Sequence, residues 1–299
     1  MNKIIILVFA LIISLFVISF ASAGIINWFN KITGKATTDT TSLNLTIGNT
    51  APTVTFVSPV SATDPVEDST RAFFINFTAN DADGPSDLGI ARINLTSSGE
   101  PARYNLSCNT TGSAFGNNQN YSCTVYLWYF DANAVWTINA SINDSGNSMG
   151  SNSSGSFTFN LLTAMKMGPT ALTWSSLTIT STNVGSNNDP ITINNTGNDA
   201  ITNITVTAIN LAGETTTTES IYAGNFTVNT ADAADNTTMV NGTAVQVSIA
   251  NFTRGNYSAN NGVTGQEQLY FFLEALNPSL SSQSYSSTSG GEWTVAIVT

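Results

Sequence analysis

The sequence predicts an all-β chain: two tandem β-sandwich domains behind an N-terminal export signal and a short leader. Three observations carry this. Apolar residues recur at every second position in many short segments, the period of a strand with one buried face. Clusters of Gly, Pro, Asn, Asp and Ser separate those segments at turn spacing. Only 9% of the 299 residues are charged, while Thr, Val, Ile, Phe and Tyr are frequent, a composition that favours strands over helices.

At the N-terminus, Lys3 precedes an apolar run over residues 4–20, and Ala21-Ser22-Ala23 is an Ala-x-Ala cleavage signal, so residues 1–23 read as a signal peptide. The run falls short of the roughly 20 residues of a spanning helix; the alternative is an uncleaved anchor, the only membrane contact expected. Residues 24–50 form a leader. It begins with an apolar stretch (25–32) suited to a short helix and continues through a Thr-rich spacer (34–42). It ends where Leu43, Leu45 and Ile47 alternate with Asn44 and Thr46 as one lone strand. Such a strand either joins the following sheet or pairs with a neighbouring molecule.

Residues 51–160 form the first domain. Its expected strands centre on Val54–Val57, on Phe73, Ile75, Phe77 and Ala79, on Ile93 and Leu95, and on Tyr104 and Leu106. They continue through Val125, Leu127 and Tyr129, then Trp136, Ile138, Ala140 and Ile142, then Phe157 and Phe159. About seven short strands with this turn spacing predict an immunoglobulin-like sandwich. Residues 161–170 read as a linker. Residues 171–299 form the second sandwich, from Leu177 and Ile179 to Trp293, Val295 and Ile297. Its Leu269–Leu273 run is nearly all apolar, as in a strand buried on both faces.

The two cysteines, Cys108 and Cys123, suit an oxidising compartment and read as a disulfide that staples two neighbouring strands across a polar loop. Closing such a loop contributes roughly 3 kcal/mol on the chain-entropy account. Sixteen Asn-x-Ser/Thr tripeptides offer glycan acceptors, at Asn44, Asn76, Asn94, Asn105, Asn109, Asn120, Asn139, Asn143, Asn152, Asn194, Asn203, Asn225, Asn236, Asn241, Asn251 and Asn256. In those at Asn76, Asn94, Asn203 and Asn225 the middle residue is apolar, so on a strand it points inward while Asn and Thr point out.

The best candidate for chemistry is Asn80-Asp-Ala-Asp-Gly-Pro-Ser-Asp87, after the second strand. Asp-x-Asp with a Gly turn gathers carboxylates as a hard, oxygen-seeking cation requires. In a sandwich the Asn143-to-Asn147 turn would share that end. Asp81, Asp83, Asp87 and Asp144 are therefore the candidate calcium ligands; the competing reading is that Asp, Asn and Gly here simply make turns. No other cofactor is expected.

These loops, Ala79-Asn-Asp-Ala-Asp-Gly84 and Asn143-Asp-Ser-Gly-Asn147, resemble those of cadherin-like and other immunoglobulin-like repeats in prokaryotic surface proteins. The signal, the Thr-rich spacer and the Asn-Thr-Gly-Asn turn at 195–198 are similar to those of archaeal secreted envelope proteins. The resemblance covers the leader and first domain. It implies an adhesive or structural role, and calcium at positions such as Asp81 and Asp83.

A net charge of −11 argues against nucleic acid and anionic membrane surfaces as partners. Gly146-Asn-Ser148-Met-Gly150 matches a hydrolase motif, but the chain has no His to serve as base and the setting is a loop between strands. Asp131, Glu267 and Glu274 could pair only if the fold gathers them. Tyr126, Trp128 and Phe130 alternate with Val125, Leu127 and Tyr129; packing on both faces is favoured over a sugar-stacking row. The expectation is a non-enzymatic, exported surface protein, structural or adhesive, with surface proteins, glycans or its own copies as partners. A self-assembling filament or lattice subunit is the first alternative, and a carbohydrate-binding module the second.

Overall fold

The computed structural model describes residues 8, 10–12, 42–175, 177–200, 203–233, 237–250, 252–255 and 265–298. The expected signal peptide (apart from a helical Val8 and residues 10–12), the apolar leader stretch, nearly all the Thr-rich spacer and the sequons at Asn236, Asn251 and Asn256 lie outside them. Among the described residues no helix is long and apolar enough to cross a membrane. Residues 42–48 carry no strand, and Leu43, Leu45 and Ile47 are 90%, 79% and 83% exposed. Alternation alone does not make a strand, because the backbone groups also need a partner ladder.

Residues Asn49–Thr299 form one unit with two apolar cores. The first core lies in a sandwich of eight strands: β1 (Thr53–Val57), β2 (Thr70–Asn80), β3 (Leu88–Thr96), β4 (Arg103–Asn105), β5 (Asn109–Phe115), β6 (Asn118–Trp128), β7 (Val135–Asp144) and β8 (Met149–Thr158). The sheets run β1-β2-β6-β5 and β4-β3-β7-β8, antiparallel throughout, which is immunoglobulin-like strand order. Period-two alternation drives Ile75 and Phe77 of β2, Ile93 and Leu95 of β3, Leu127 of β6, and Trp136 and Ile138 of β7 into the interior, each at most 1% exposed. The Trp136 indole N–H reaches the Ala132 carbonyl at 3.1 Å, so the largest core side chain buries no unpaired donor.

Cys108 and Cys123 form a disulfide with Cα atoms 4.7 Å apart. The polar connection expected between them is mostly strand: β5 is exposed at every residue and pairs with β6. Its lack of apolar alternation hid it, because alternation reports burial whereas an edge strand needs only a ladder. The chain passes here from β4 in one sheet to β5 in the other. The Cys108 N–H meets the Ala91 carbonyl of β3 at 2.9 Å, while its sulfur is bonded to core-facing Cys123 of β6. The disulfide therefore pins the point where the chain changes sheets.

The second core is built by β9 (Met165–Gly168), β10 (Thr182–Gly185), β11 (Ile191–Asn195), β12 (Asn203–Thr207), β13 (Leu211–Gly213), β14 (Ser220–Ile221), β15 (Phe226–Asn229), β16 (Thr237–Thr238), β17 (Ala244–Gln246), β18 (Gln266–Ala275), β19 (Tyr285–Ser286) and β20 (Thr294–Val298). The main sheet runs β16-β15-β18-β11-β9, with β10 also on β18; β17-β12-β20 and β14-β13-β19 form smaller sheets. Phe271, Phe272 and Leu273 of β18 are all buried, as its apolar run predicts. Two boundaries differ from the sequence reading. Residues 165–168, read as linker, are β9 paired to β11, and no strand is described at Leu177 and Ile179.

The two sandwiches meet through polar groups. The turn after β11 is buried, with Asn195, Thr196 and Asn198 at most 1% exposed. Asn198 Nδ2 donates to the carbonyls of Asp131 (3.1 Å) and Asn160 (2.9 Å), and its Oδ1 accepts from Leu162 N–H at 2.7 Å. Thr196 Oγ1 donates to Glu67, and the Asp68 N–H donates to the Thr196 carbonyl. Gly197 is required here, since a Cβ would lie 2.0 Å from the Leu162 carbonyl oxygen. Beneath the turn, Asp131 is fully buried against Arg103 in a two-point ion pair. Burial pushes the Asp131 carboxyl above its usual range, outweighing the opposing pull of Arg103. Arg254 closes the junction, reaching the Phe130 carbonyl at 3.0 Å and the Glu100 carboxylate.

Candidate functional site

At the opposite end of the first sandwich, strand ends from both sheets bring three carboxylates together. Asp81 follows β2; its N–H donates to the Asn117 carbonyl at 3.0 Å, extending the ladder one residue past the strand. Asp87 directly precedes β3, and Asp144 ends β7, where it faces Leu88 in register. The chain between Asp81 and Asp87 folds as consecutive turns, Gly84 N–H to Asp81 carbonyl and Asp87 N–H to Gly84 carbonyl, with Gly84 at φ +107°. The Ser145 N–H then meets the Asp87 carbonyl at 2.8 Å and joins the two loops.

Asp81, Asp87 and Asp144 each place a carboxylate oxygen within 4.8 Å of the others. Asp81 is fully buried and Asp144 is 2% exposed. The protein holds one oxygen of Asp81 and of Asp87 and both of Asp144: Asp81 Oδ1 accepts the Asp83 N–H at 2.9 Å, Asp87 Oδ1 accepts the Ser145 hydroxyl, and Asp144 Oδ1 accepts the Ser148 N–H at 2.8 Å. Asp144 Oδ2 accepts the Asn49 amide at 2.8 Å. That bond, followed by the Ser148 and Gly146 backbone N–H groups, holds the Asp144 carboxyl below its usual range. Asp81 Oδ2 and Asp87 Oδ2 are buried without a hydrogen-bond partner. Buried oxygens of this kind are costly unless something pairs with them. The donors are all hard oxygens, a set that suits calcium rather than zinc.

Of the four residues named as candidate ligands, Asp83 lies outside the group. It is exposed, and its Oδ2 accepts the Thr50 N–H at 2.7 Å. Here the Asp83 N–H caps Asp81 Oδ1 while the Asp83 carboxylate is turned to the Thr50 N–H. Asn49, which anchors Asp144, carried no sequence signal, because its partner lies 95 residues away.

Other sequence-level candidates remain apart. Asp131 is engaged by Arg103, Glu274 accepts the Thr227 hydroxyl, and Glu267 accepts the Gln268 N–H. Ser148 sits in the turn between β7 and β8, its N–H on Asp144. Tyr126 is 54% exposed, whereas Trp128 stacks on buried Phe130 at 5.6 Å. Phe77, Leu95, Ile204 and Phe226, the middle residues of four sequons, are all at most 1% exposed, as alternation requires. Their asparagines differ: Asn76 is exposed, while Asn94, Asn203 and Asn225 are half-buried. Asn44, Asn109 and Asn241 are also exposed, and Asn105, Asn120, Asn139, Asn143, Asn152 and Asn194 are half-buried.

No known protein family matches the chain, and no curated protein matches it. Among solved structures, it is similar to the secreted serine protease VesC from Vibrio cholerae, at 10% identity and a TM-score of 0.23, over 78% of this chain. The chain spans about half (51%) of that structure, and a likeness this weak carries no argument about function.

Proposed function

We propose that the chain is a non-enzymatic, exported cell-surface protein, a structural or adhesive module displaying glycosylated β-sandwiches, in which a calcium ion on Asp81, Asp87 and Asp144 stiffens one end. The observation that carries this is the pair of buried, unpartnered carboxylate oxygens on Asp81 and Asp87 beside Asp144. Like charges collected without a counter-charge destabilise a fold, and a divalent cation converts that repulsion into cross-linking of both sheets. The Cys108–Cys123 disulfide supports an oxidising compartment, and the N-terminal signal pattern supports export. Surface proteins, glycans or further copies of the chain are the partners such a module would meet.

The test is thermal unfolding of the full mature chain in calcium, in magnesium and in chelator, beside Asp81→Asn. Calcium should raise the Tm of the wild type and leave the variant unmoved. An unchanged wild-type Tm would sink the cation reading. Immunogold labelling of native envelopes tests the surface reading, and label confined to the cytoplasm would end it. A second reading, a self-assembling subunit, is favoured by the exposed, alternating Leu43, Leu45 and Ile47, which suit strand addition to another copy. Label on regular filaments or a lattice would support it.

A further inference from the structure

We propose that Asn76 carries an N-linked glycan whose first sugar rings lie on the outer face of the β1-β2-β6-β5 sheet, between Phe56 and Phe74. The argument starts from period-two alternation in β2. Phe73, Ile75 and Phe77 enter the core, so Phe74, Asn76 and Thr78 share the outer face. Phe74 is 70% exposed in the middle of an 11-residue strand. Phe56 of β1 is 51% exposed and stands directly across from Thr78. The acceptor Asn76 is thus flanked on its own face by an aromatic ring on either side.

Beside Asn76 the surface dips into a hollow of about 330 Å³, lined by Phe56, Asn76, Phe77, Thr78, Thr111 and Asn120. That is at the small end of the ~300–1,000 Å³ of ligand-sized pockets. Its polar rim is fixed, since the Thr78 hydroxyl donates to Asn120 Oδ1 at 2.7 Å. A sugar ring has one face of C–H groups and an edge of hydroxyls. The hollow offers aromatic carbon to the face and amide and hydroxyl groups to the edge, the pairing of apolar body and polar tip that such surfaces favour.

Asn120 lines the same hollow, but it is half-buried with its Oδ1 on the Thr78 hydroxyl, whereas Asn76 is exposed. Several other sequons are held elsewhere. Asn94 and Asn139 oppose each other across β3 and β7 with both side-chain carbonyl oxygens buried and unpartnered. Asn105, Asn152 and Asn225 give their amides to the backbone carbonyls of Thr124, Val54 and Ala275.

The modification needs a lipid-linked glycosyl phosphate or diphosphate as co-substrate. Asn76 Nδ2 bonds to the anomeric carbon, the bond from that carbon to the phosphate oxygen breaks with its electron pair on the leaving phosphate, and Nδ2 loses one proton. The inference rests on the export reading, because such transfer occurs outside the cytoplasm. A free saccharide shares the same chemistry and is the other source of a ligand for this face.

The test expresses the full chain in a glycosylating host, behind that host's own signal peptide and with an Asn-Ala-Thr tag at the C-terminus. Failure of the chain's own signal is then separate from failure at Asn76. Glycopeptide mass spectrometry should find Asn76 occupied; a bare Asn76 beside an occupied tag overturns the proposal. The glycosylated protein should melt about 2–4 °C above Asn76→Gln. That gain should vanish in a Phe56→Ser/Phe74→Ser background, which removes only exposed rings. A gain that survives both substitutions overturns the packing. Finally, N-acetylglucosamine disaccharide titrated by NMR should perturb the face of Asn76→Gln and leave the glycosylated form unperturbed. Equal binding to both would show that the face is free for sugar in trans and overturn its occupation by the glycan.

Discussion

The two ends of the first sandwich both bury aspartate, with opposite outcomes. At the junction, Asp131 is fully buried, but Arg103 pairs with it, the Trp128 N–H donates to it at 2.8 Å, and Asn198 holds its carbonyl. At the far end, Asp81 is equally buried, yet one of its oxygens and one of Asp87 have no partner. At the junction the carboxylate is answered from within the first sandwich, and the Asp131 backbone carbonyl is left to receive Asn198 of the second. At the far end the unanswered oxygens carry a desolvation cost, which the proposed cation would offset.

Substitutions can break this contrast, and the largest effect belongs at the junction. Arg103→Leu strands the Asp131 carboxylate and should cost about 3–5 kcal/mol in urea unfolding, while Arg103→Met with Asp131→Leu should recover most of it. A single-variant cost below ~1 kcal/mol would mean the pair does not organise the junction. Asp131 also gives the pH sign. Its folded value is raised, so stability linked to its protonation is present below the unfolded value and lost as pH rises through the folded one. The Arg103→Leu deficit should accordingly shrink as the pH is lowered.

The far end should respond next. Calcium at a hundredfold excess over its Kd should stabilise the chain by about 2.7 kcal/mol. In chelator the order should reverse, with Asp81→Asn more stable than the wild type because it removes one like charge. Asp81→Asn melting below the wild type in chelator would show that Asp81 is satisfied without a cation.

Asn198→Ala follows, at roughly 1–3 kcal/mol for the backbone groups it strands. It should also open residues 160–164 to protease; unchanged resistance would place the junction's strength elsewhere.

The smallest effect is local. Glu219 accepts from the Tyr285 hydroxyl, the Ser281 N–H and hydroxyl, and the Gln283 amide, and these bonds, the Tyr285 one foremost, lower its carboxyl to about 2. Its contribution is full above the unfolded value of 4.5 and is lost as pH falls toward 2. Hydrogen exchange at the Ser281 amide should accelerate over that window relative to its neighbours, and Glu219→Gln should abolish the change.

Much of this was legible beforehand, for a local reason. Inward and outward faces follow from alternation, and a strand's alternation is written in adjacent residues. The interior set from Ile75 to Ile142, the doubly buried Phe271 to Leu273, the Cys108–Cys123 staple and the clustering of aspartates after β2 are all properties of that kind. Tertiary structure alone decided the rest. It made β5 a strand with no buried residue and no apolar alternation, because pairing depends on β6. It turned the 165–168 linker into β9, because β11 lies alongside. It buried Asn195–Asn198, which composition marks as a surface turn, and it parted Asp83 from Asp81 by giving it Thr50. Burial preference is a property of a side chain and its near neighbours, so sequence encodes it directly. Whether a polar atom finds a partner depends on groups brought from tens of residues away, and only the closed fold determines that.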